Sequence, residues 1–324
     1  MNDKETKLDH APATAGINRR AFLQGGLGAL AAALLLGKPA LAEFLEVTFV
    51  REQTGNAPTP AEEGGLRIRP RPVDDLAKPF LDEKIEIDIT FMGAKLAIGT
   101  ISFKRVSNWN YEATIETRVT GAVSPLVKHR QQIMTASMMV KKVNGKDRFV
   151  TSRFYRKTIT TEKTTERKHE FNYYHRRWIY TRLEVGKPPK TWRRKIAPNT
   201  YYDDFCNILY NARAQFYAPF GSGKVALVHT IPWTRWVTQD GARKKYHTET
   251  LTLVFPTPAE ISAEDRQWLD DEKAEVMIVV KVDRDAYEIK SGELKFAGDK
   301  NGKPLAAWVK DALLYGDVRA TARR

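Results

Sequence analysis

Residues 84–91 read KIEIDITF. Ile85, Ile87, Ile89 and Phe91 alternate with Glu86, Asp88 and Thr90, so a strand here carries one apolar and one polar face. Met92-Gly93-Ala94-Lys95 supplies a turn, and KLAIGTISF (95–103) is the expected hairpin partner. The pattern returns in WNYEATIETRV (109–119), where Tyr111, Ala113, Ile115 and Thr117 share a face. DRFVTSRFYRKTI (147–159), EFNYYHRRWIYTRLEV (170–185), KVALVHTI (224–231), YHTETLTLVF (246–255), EVMIVVKVD (275–283), GELKFAG (292–298) and GDVRATA (316–322) also read as strands.

Few helices interrupt them. The spacing predicts one over Pro125–Ser137, one capped by Asp203 or Asp204 and running through FCNILYNARAQF, one from Ser262 to Lys273, and a short one over Leu305–Val309. About ten strands without strand-helix alternation predict a mainly β fold: an antiparallel curved sheet or half-open β-barrel with a few covering helices.

Upstream of this domain, residues 18–42 read NRRAFLQGGLGALAAALLLGKPALA. Arg19-Arg20 followed by Phe22 and Leu23 fits a twin-arginine export leader, and Ala40 and Ala42 fit a signal peptidase site. The apolar run is too short and glycine-rich for a membrane span of ~20 residues. The expectation is a periplasmic protein, soluble after cleavage near Ala42. It would have a signal peptide over 1–42, an extended arm over 43–80 rich in Pro, Gly and charge, and a single barrel-like domain over 81–324. Cys206 is the only cysteine, so no intramolecular disulfide can form, and a buried, inert thiol is expected.

The chain carries a formal net charge of +14. Residues 141–195 hold 18 lysines and arginines against five acids, which accounts for the whole excess of the exported portion. Solvated strand faces would explain such a run. Aromatics interleave with it, however: Trp178, Tyr180 and Trp192 lie among Arg176, Arg177, Arg182, Arg193 and Arg194. Read as one strand, EFNYYHRRWIY places Arg177 with Tyr173 and Ile179 on one face, and Arg176 with Trp178 and Tyr180 on the other. Arginine beside large rings suits anionic groups attached to apolar bodies. Nucleic acid would suit the charge equally, but an export leader argues against it as a partner. Anionic envelope components are the expected class, with peripheral membrane contact as one route to them.

Other chemistry leaves little trace. Gly221-Ser222-Gly223-Lys224 lacks the upstream glycine and the following Ser/Thr of a phosphate loop, with Ala218 and Val225 in those places. No G-x-S-x-G elbow surrounds a serine. His129, His169, His175, His229 and His247 are scattered. On a single strand, His169 and His175 would stand ~20 Å apart, too far to share an ion. No cofactor and no metal is expected. Asp203-Asp204 and Asp270-Asp271 read as helix caps or helix surface before they read as catalytic pairs.

One set of residues resembles a known family. The hairpin with Gly99, the strand ending Val119-Thr120-Gly121, and the segment Tyr202-Asp203-Asp204-x-x-Asn207-x-Leu209-Tyr210-x-x-Arg213 carry the likeness, together with Leu313-Leu314-Tyr315-Gly316-Asp317-Val318. Over roughly 80–324 they are similar to the domain of unknown function 3108 family of exported bacterial proteins. The resemblance implies a half-open β-barrel like those of periplasmic lipoprotein carriers, with Asp203, Asp204, Leu209, Tyr210 and Arg213 as its helix motif.

Together these features predict an open barrel binding a lipid-like or anionic amphiphilic ligand. Arg177, Arg193 and Arg194 would contact the anionic group, and Trp178 and Trp192 would border it. The competing readings are an envelope assembly protein with a filled core, and a cofactor-free enzyme using Asp203, Asp204 or His175 as acid or base.

Overall fold

The alternation begun at Ile85 becomes β1 (Glu83–Phe91), with Ile85 and Ile89 buried and Glu86 exposed between them. It is paired on both sides. Its hairpin partner is β2 (Ala94–Arg105), and on its other edge Ile87, Ile89 and Phe91 stand opposite Ala322, Ala320 and Val318 of the last strand. The computed structural model describes residues 72–324, apart from 122–123, 125–128, 240–241, 285–288, 290 and 314–315. The leader predicted over 1–42, most of the predicted arm, the start of the predicted Pro125 helix and positions 314–315 of the family likeness lie outside the described residues.

From β2 the chain runs up and down through β3 (Tyr111–Val119), β4 (Gln131–Val143), β5 (Lys146–Ile159), β6 (Thr164–Asn172), β7 (Arg177–Glu184) and β8 (Lys187–Lys195). After helix α1 (Phe205–Arg213) it starts again with β9 (Lys224–Gln239) and β10 (Ala242–Phe255), then helix α2 (Ala263–Asp271). It ends in β11 (Val276–Lys281), β12 (Glu293–Gly298), β13 (Pro304–Leu313) and β14 (Gly316–Ala322). Every neighbouring pair is antiparallel, in the order β8-β7-β6-β5-β4-β3-β2-β1-β14-β13-β12-β11-β10-β9. Two meanders are thus joined through the first and last strands, giving one curved, unclosed 14-stranded sheet. β8 and β9 form its ends. The segment leaving β8 approaches the far end: Asp203 makes a parallel bridge to Thr230, with its N–H bonded to the His229 carbonyl at 2.8 Å.

The inner face, the one α1 covers, holds the main core. Phe80, Phe103, Tyr111, Phe149 and Tyr210 interlock there, with ring centroids 4.6 Å apart for Phe103–Tyr210 and 5.3 Å for Phe80–Tyr210. Burying each such ring contributes roughly 2–3 kcal/mol. On the outer face α2 packs Trp268 and Leu269 over Met277, Val279, Ala297, Ala306 and Trp308. Cys206 is buried and free.

Several expectations need correction. The stretch predicted as the second half of the Pro125–Ser137 helix is strand β4, where Gln132, Met134, Ala136 and Met138 point inward at every second position. Pairing to β3 and β5 overrides the helix preference of Gln, Met and Ala. Leu305–Val309 likewise lies in β13, held between β12 and β14. EFNYYHRRWIYTRLEV is a hairpin, not one strand: β6 turns through Tyr173–Arg176 into β7. The last residues of the supposed arm are packed, since Phe80 is buried and Asp74 bonds the Tyr111 hydroxyl through both its N–H and its carboxylate.

Candidate functional site

The motif segment builds a buried polar frame. Asp204 caps α1, accepting from Asn207 N–H at 3.0 Å, and accepts from the Thr151 hydroxyl at 2.5 Å. Thr151 in turn accepts from Asn207 Nδ2 at 2.8 Å, and Asn211 Nδ2 donates to Asn207 Oδ1 at 2.5 Å. Asp203 pairs with Arg148 and accepts from the Tyr217 hydroxyl at 2.7 Å. Arg213 forks onto Glu83 at 2.5 and 2.8 Å while its guanidinium lies 4.7 Å from the Phe80 ring. Burial pushes the Asp203 carboxyl up against the opposing pull of Arg148 and Tyr217, and lifts Asp204 to about 6. Leu209 packs against the main core beside Tyr210. These side chains tie α1 and the residues leading into it to β5, through Arg148 and Thr151, and to β1, through Glu83.

A different constellation occupies the inner face of β4–β8. The register sets Met134 opposite Arg156, Arg156 opposite Arg167, Arg167 opposite Arg182 and Arg182 opposite Lys190. One row across four strands is therefore cationic. Two residues along, the row is aromatic: Phe154, His169, Tyr180 and Trp192. Ring centroids are 6.0 Å apart for Phe154–His169, 4.7 Å for His169–Tyr180 and 4.9 Å for Tyr180–Trp192. Two residues further, Phe171 faces Trp178 and Trp178 faces Arg194, whose guanidinium lies 5.3 Å from the indole centroid. At ~3.4 Å per residue, the cationic row and the Trp178 row lie ~14 Å apart.

Protein surrounds the cations, yet Arg156, Arg167 and Arg182 each keep part of their surface open to solvent. Burial lowers Arg156 and Arg167 from the usual arginine range, and each feels a neighbouring guanidinium. Arg130, at the start of β4, falls to about 10 through burial and then Arg167. Burial, then Arg156 and Arg167, hold His169 well below the ordinary histidine value, so its ring is neutral at neutral pH. Buried nitrogens beside the rows lack hydrogen-bond partners: His169 Nδ1, Trp178 Nε1 and Gln132 Nε2. Buried polar atoms normally have one.

The sequence-predicted set is divided. Arg194, Trp178 and Trp192 come together on the inner face, whereas Arg177 and Arg193, one residue out of phase, lie exposed on the outer face. Arg176 belongs to neither, because it sits in the β6–β7 turn with φ 51°. Reading β6 and β7 as one strand hid the pairing that brings Arg167 beside Arg182, and so missed Arg156, Arg167, Arg182 and His169. The available signal was the excess of cations in 141–195 interleaved with aromatic residues.

Arg177 instead borders a groove of about 670 Å³ on the outer face, lined also by Glu112, Arg153, Glu170, His175 and Ile179. His175 is exposed in the turn, its N–H donating to Asn172 Oδ1 at 2.9 Å. Among the described residues no cluster of His, Cys, Asp or Glu could hold a metal ion. No helix among them is long and apolar enough to cross a membrane.

No protein-family model matches the chain, the domain of unknown function 3108 family included, and no curated protein matches it in sequence. Among solved structures it is similar to the crystal structure of a beta-barrel-like protein of domain of unknown function DUF1849 from Brucella abortus. The identity is 13% and the TM-score 0.37, over 74% of this chain and 95% of that one.

Proposed function

We propose that this is an exported envelope protein that binds an anionic amphiphile on the inner face of β4–β8. The observation that carries the reading is the cationic row Arg156–Arg167–Arg182 lying beside the rings of His169, Tyr180, Trp178 and Trp192 on one face. A headgroup would meet the guanidiniums, and an apolar body would lie along the aromatics toward Trp178 and Arg194. Export rests on the Arg19-Arg20 leader and its Ala40-x-Ala42 end. Helix α1 packs over β3–β5 and bonds β5 at Phe149 and Thr151, away from Arg156, so the ligand would lie along the Arg156 end of β5 and on β6–β8; the assembly-protein reading is the rival.

Binding to vesicles doped with anionic lipid tests this. Arg194→Glu, on the inner face, should weaken retention much more than Arg193→Glu on the outer face, and the difference should persist at moderate salt. Equal loss from the two reversals would reduce the interaction to a general surface attraction. Native mass spectrometry of protein taken from the periplasm should reveal a co-purified acyl-bearing species.

A further inference from the structure

Resting on that reading, we propose that the inner face selects a headgroup with two adjacent phosphate charges, a diphosphate, over a single carboxylate. The strand register is the ground for this. Arg156 stands opposite Arg167, and Arg167 opposite Arg182, so three guanidinium side chains leave one face of three adjacent strands spaced ~4.8 Å apart. Like charges placed directly opposite destabilise a sheet, and surrounding protein reduces the screening between them. Lys190 extends the row on β8, and Arg130 acts on it from the start of β4. Glu184 offsets part of this charge: its carboxylate accepts from Arg182 at 3.0 Å and from Lys187 at 2.8 Å.

A carboxylate offers one charge on two coplanar oxygens, both of which a single guanidinium fork can engage. A diphosphate spreads its charge over two tetrahedral centres and can meet forks on neighbouring strands together. Phosphate oxygens would also give Gln132 Nε2, buried and without a hydrogen-bond partner, an acceptor. The aromatic row begins two residues from the cations. A tail attached directly to the headgroup would therefore pass onto His169, Tyr180 and Trp192.

Calorimetric titration of the exported protein with dodecanoate, dodecyl phosphate, farnesyl diphosphate and inorganic pyrophosphate tests the proposal. Farnesyl diphosphate should bind at least tenfold more tightly than dodecyl phosphate, and dodecyl phosphate more tightly than dodecanoate. Pyrophosphate should bind more weakly than farnesyl diphosphate. Arg167→Gln should erase the gap between diphosphate and monophosphate and raise the melting temperature of the ligand-free protein, whereas Arg193→Gln should do neither. A purely structural Arg167 would lower it.

If dodecanoate matches farnesyl diphosphate, the charge inference is overturned while amphiphile binding stands. If pyrophosphate matches farnesyl diphosphate, headgroup selection holds and the amphiphile reading fails. Absence of binding by all four at millimolar concentration overturns both.

Discussion

Asn211 takes both hydrogen-bonding groups of the Phe149 backbone: its Oδ1 accepts from the Phe149 N–H at 2.8 Å, and its Nδ2 donates to the Phe149 carbonyl at 3.0 Å. The need for this comes from strand lengths. β5 starts at Lys146, but its pairing with β6 starts only at Arg153 opposite Glu170. The intervening edge would be buried without partners, and α1 supplies the partner that β6 does not. Asn211→Leu keeps the volume, strands the Phe149 N–H and leaves its carbonyl only the Arg148 Nε donor at 3.2 Å. At about 1–3 kcal/mol for a buried unsatisfied polar group, urea unfolding should report a loss of roughly 2 kcal/mol. A loss below about 1 kcal/mol would mean that water replaces the side chain.

The ion pair of Arg213 and Glu83 ties α1 to the first strand, with both side chains nearly buried. Removing one partner leaves a buried charge, which costs about 3–5 kcal/mol, while replacing both often costs much less. Arg213→Met should therefore destabilise strongly, and Arg213→Met with Glu83→Gln should recover a large part of that loss. Chemical denaturation of the two singles and the double gives the coupling. Additive losses would show that the pair contributes nothing beyond its separate packing.

Asp204 gives a pH signature. Burial raises its carboxyl to about 6 against the bonds from Thr151 and Asn207, while an unfolded aspartate titrates near 3.9. A folded value above the unfolded one means that its contribution is fully present below about pH 4 and is lost as pH rises through about 6. Asp204→Asn keeps a helix-capping oxygen and removes the titration. Its stability relative to the parent should improve between pH 4 and pH 7. A flat difference across that range would refute the assignment.

The half-buried strands were legible because their alternation is local: Ile85, Ile87 and Ile89 point inward whatever the partner strand. Helix α1 was legible from its Asp204 cap, and α2 from Ser262, whose hydroxyl accepts from Asp265 N–H at 3.1 Å. Register was not legible, because it is a relation between segments. The β6–β7 turn offers no Gly or Pro to mark it. It is made by the Asn172 side chain and by Arg176 at positive φ, so the chain reads as one strand and its inner residues fall out of phase. The candidate site suffered most, since Arg156, Arg167 and Arg182 become neighbours only through that register.

His169 supplies the opposite pH sign to Asp204 and reports on the site itself. The groups acting on it are Arg156 and Arg167 as charges, and Phe154, Phe171, Trp178 and Tyr180 as rings. Its folded value lies well below that of an unfolded histidine, near 6.5. The stability it contributes is therefore complete above about pH 6.5 and declines as pH falls below it, by up to ~1.4 kcal/mol per unit. His169→Phe preserves a ring in the row and removes the proton site. Measured by denaturant unfolding at pH 7.5 and pH 5.5, the variant should gain on the parent at the acidic value. Anion binding should act in the same direction, because negative charge at the Arg156–Arg167 row stabilises a protonated His169 as well. The acid loss of the parent should therefore shrink more when pyrophosphate is present than that of the variant does. Equal effects of pyrophosphate on parent and variant would place the bound anion away from His169.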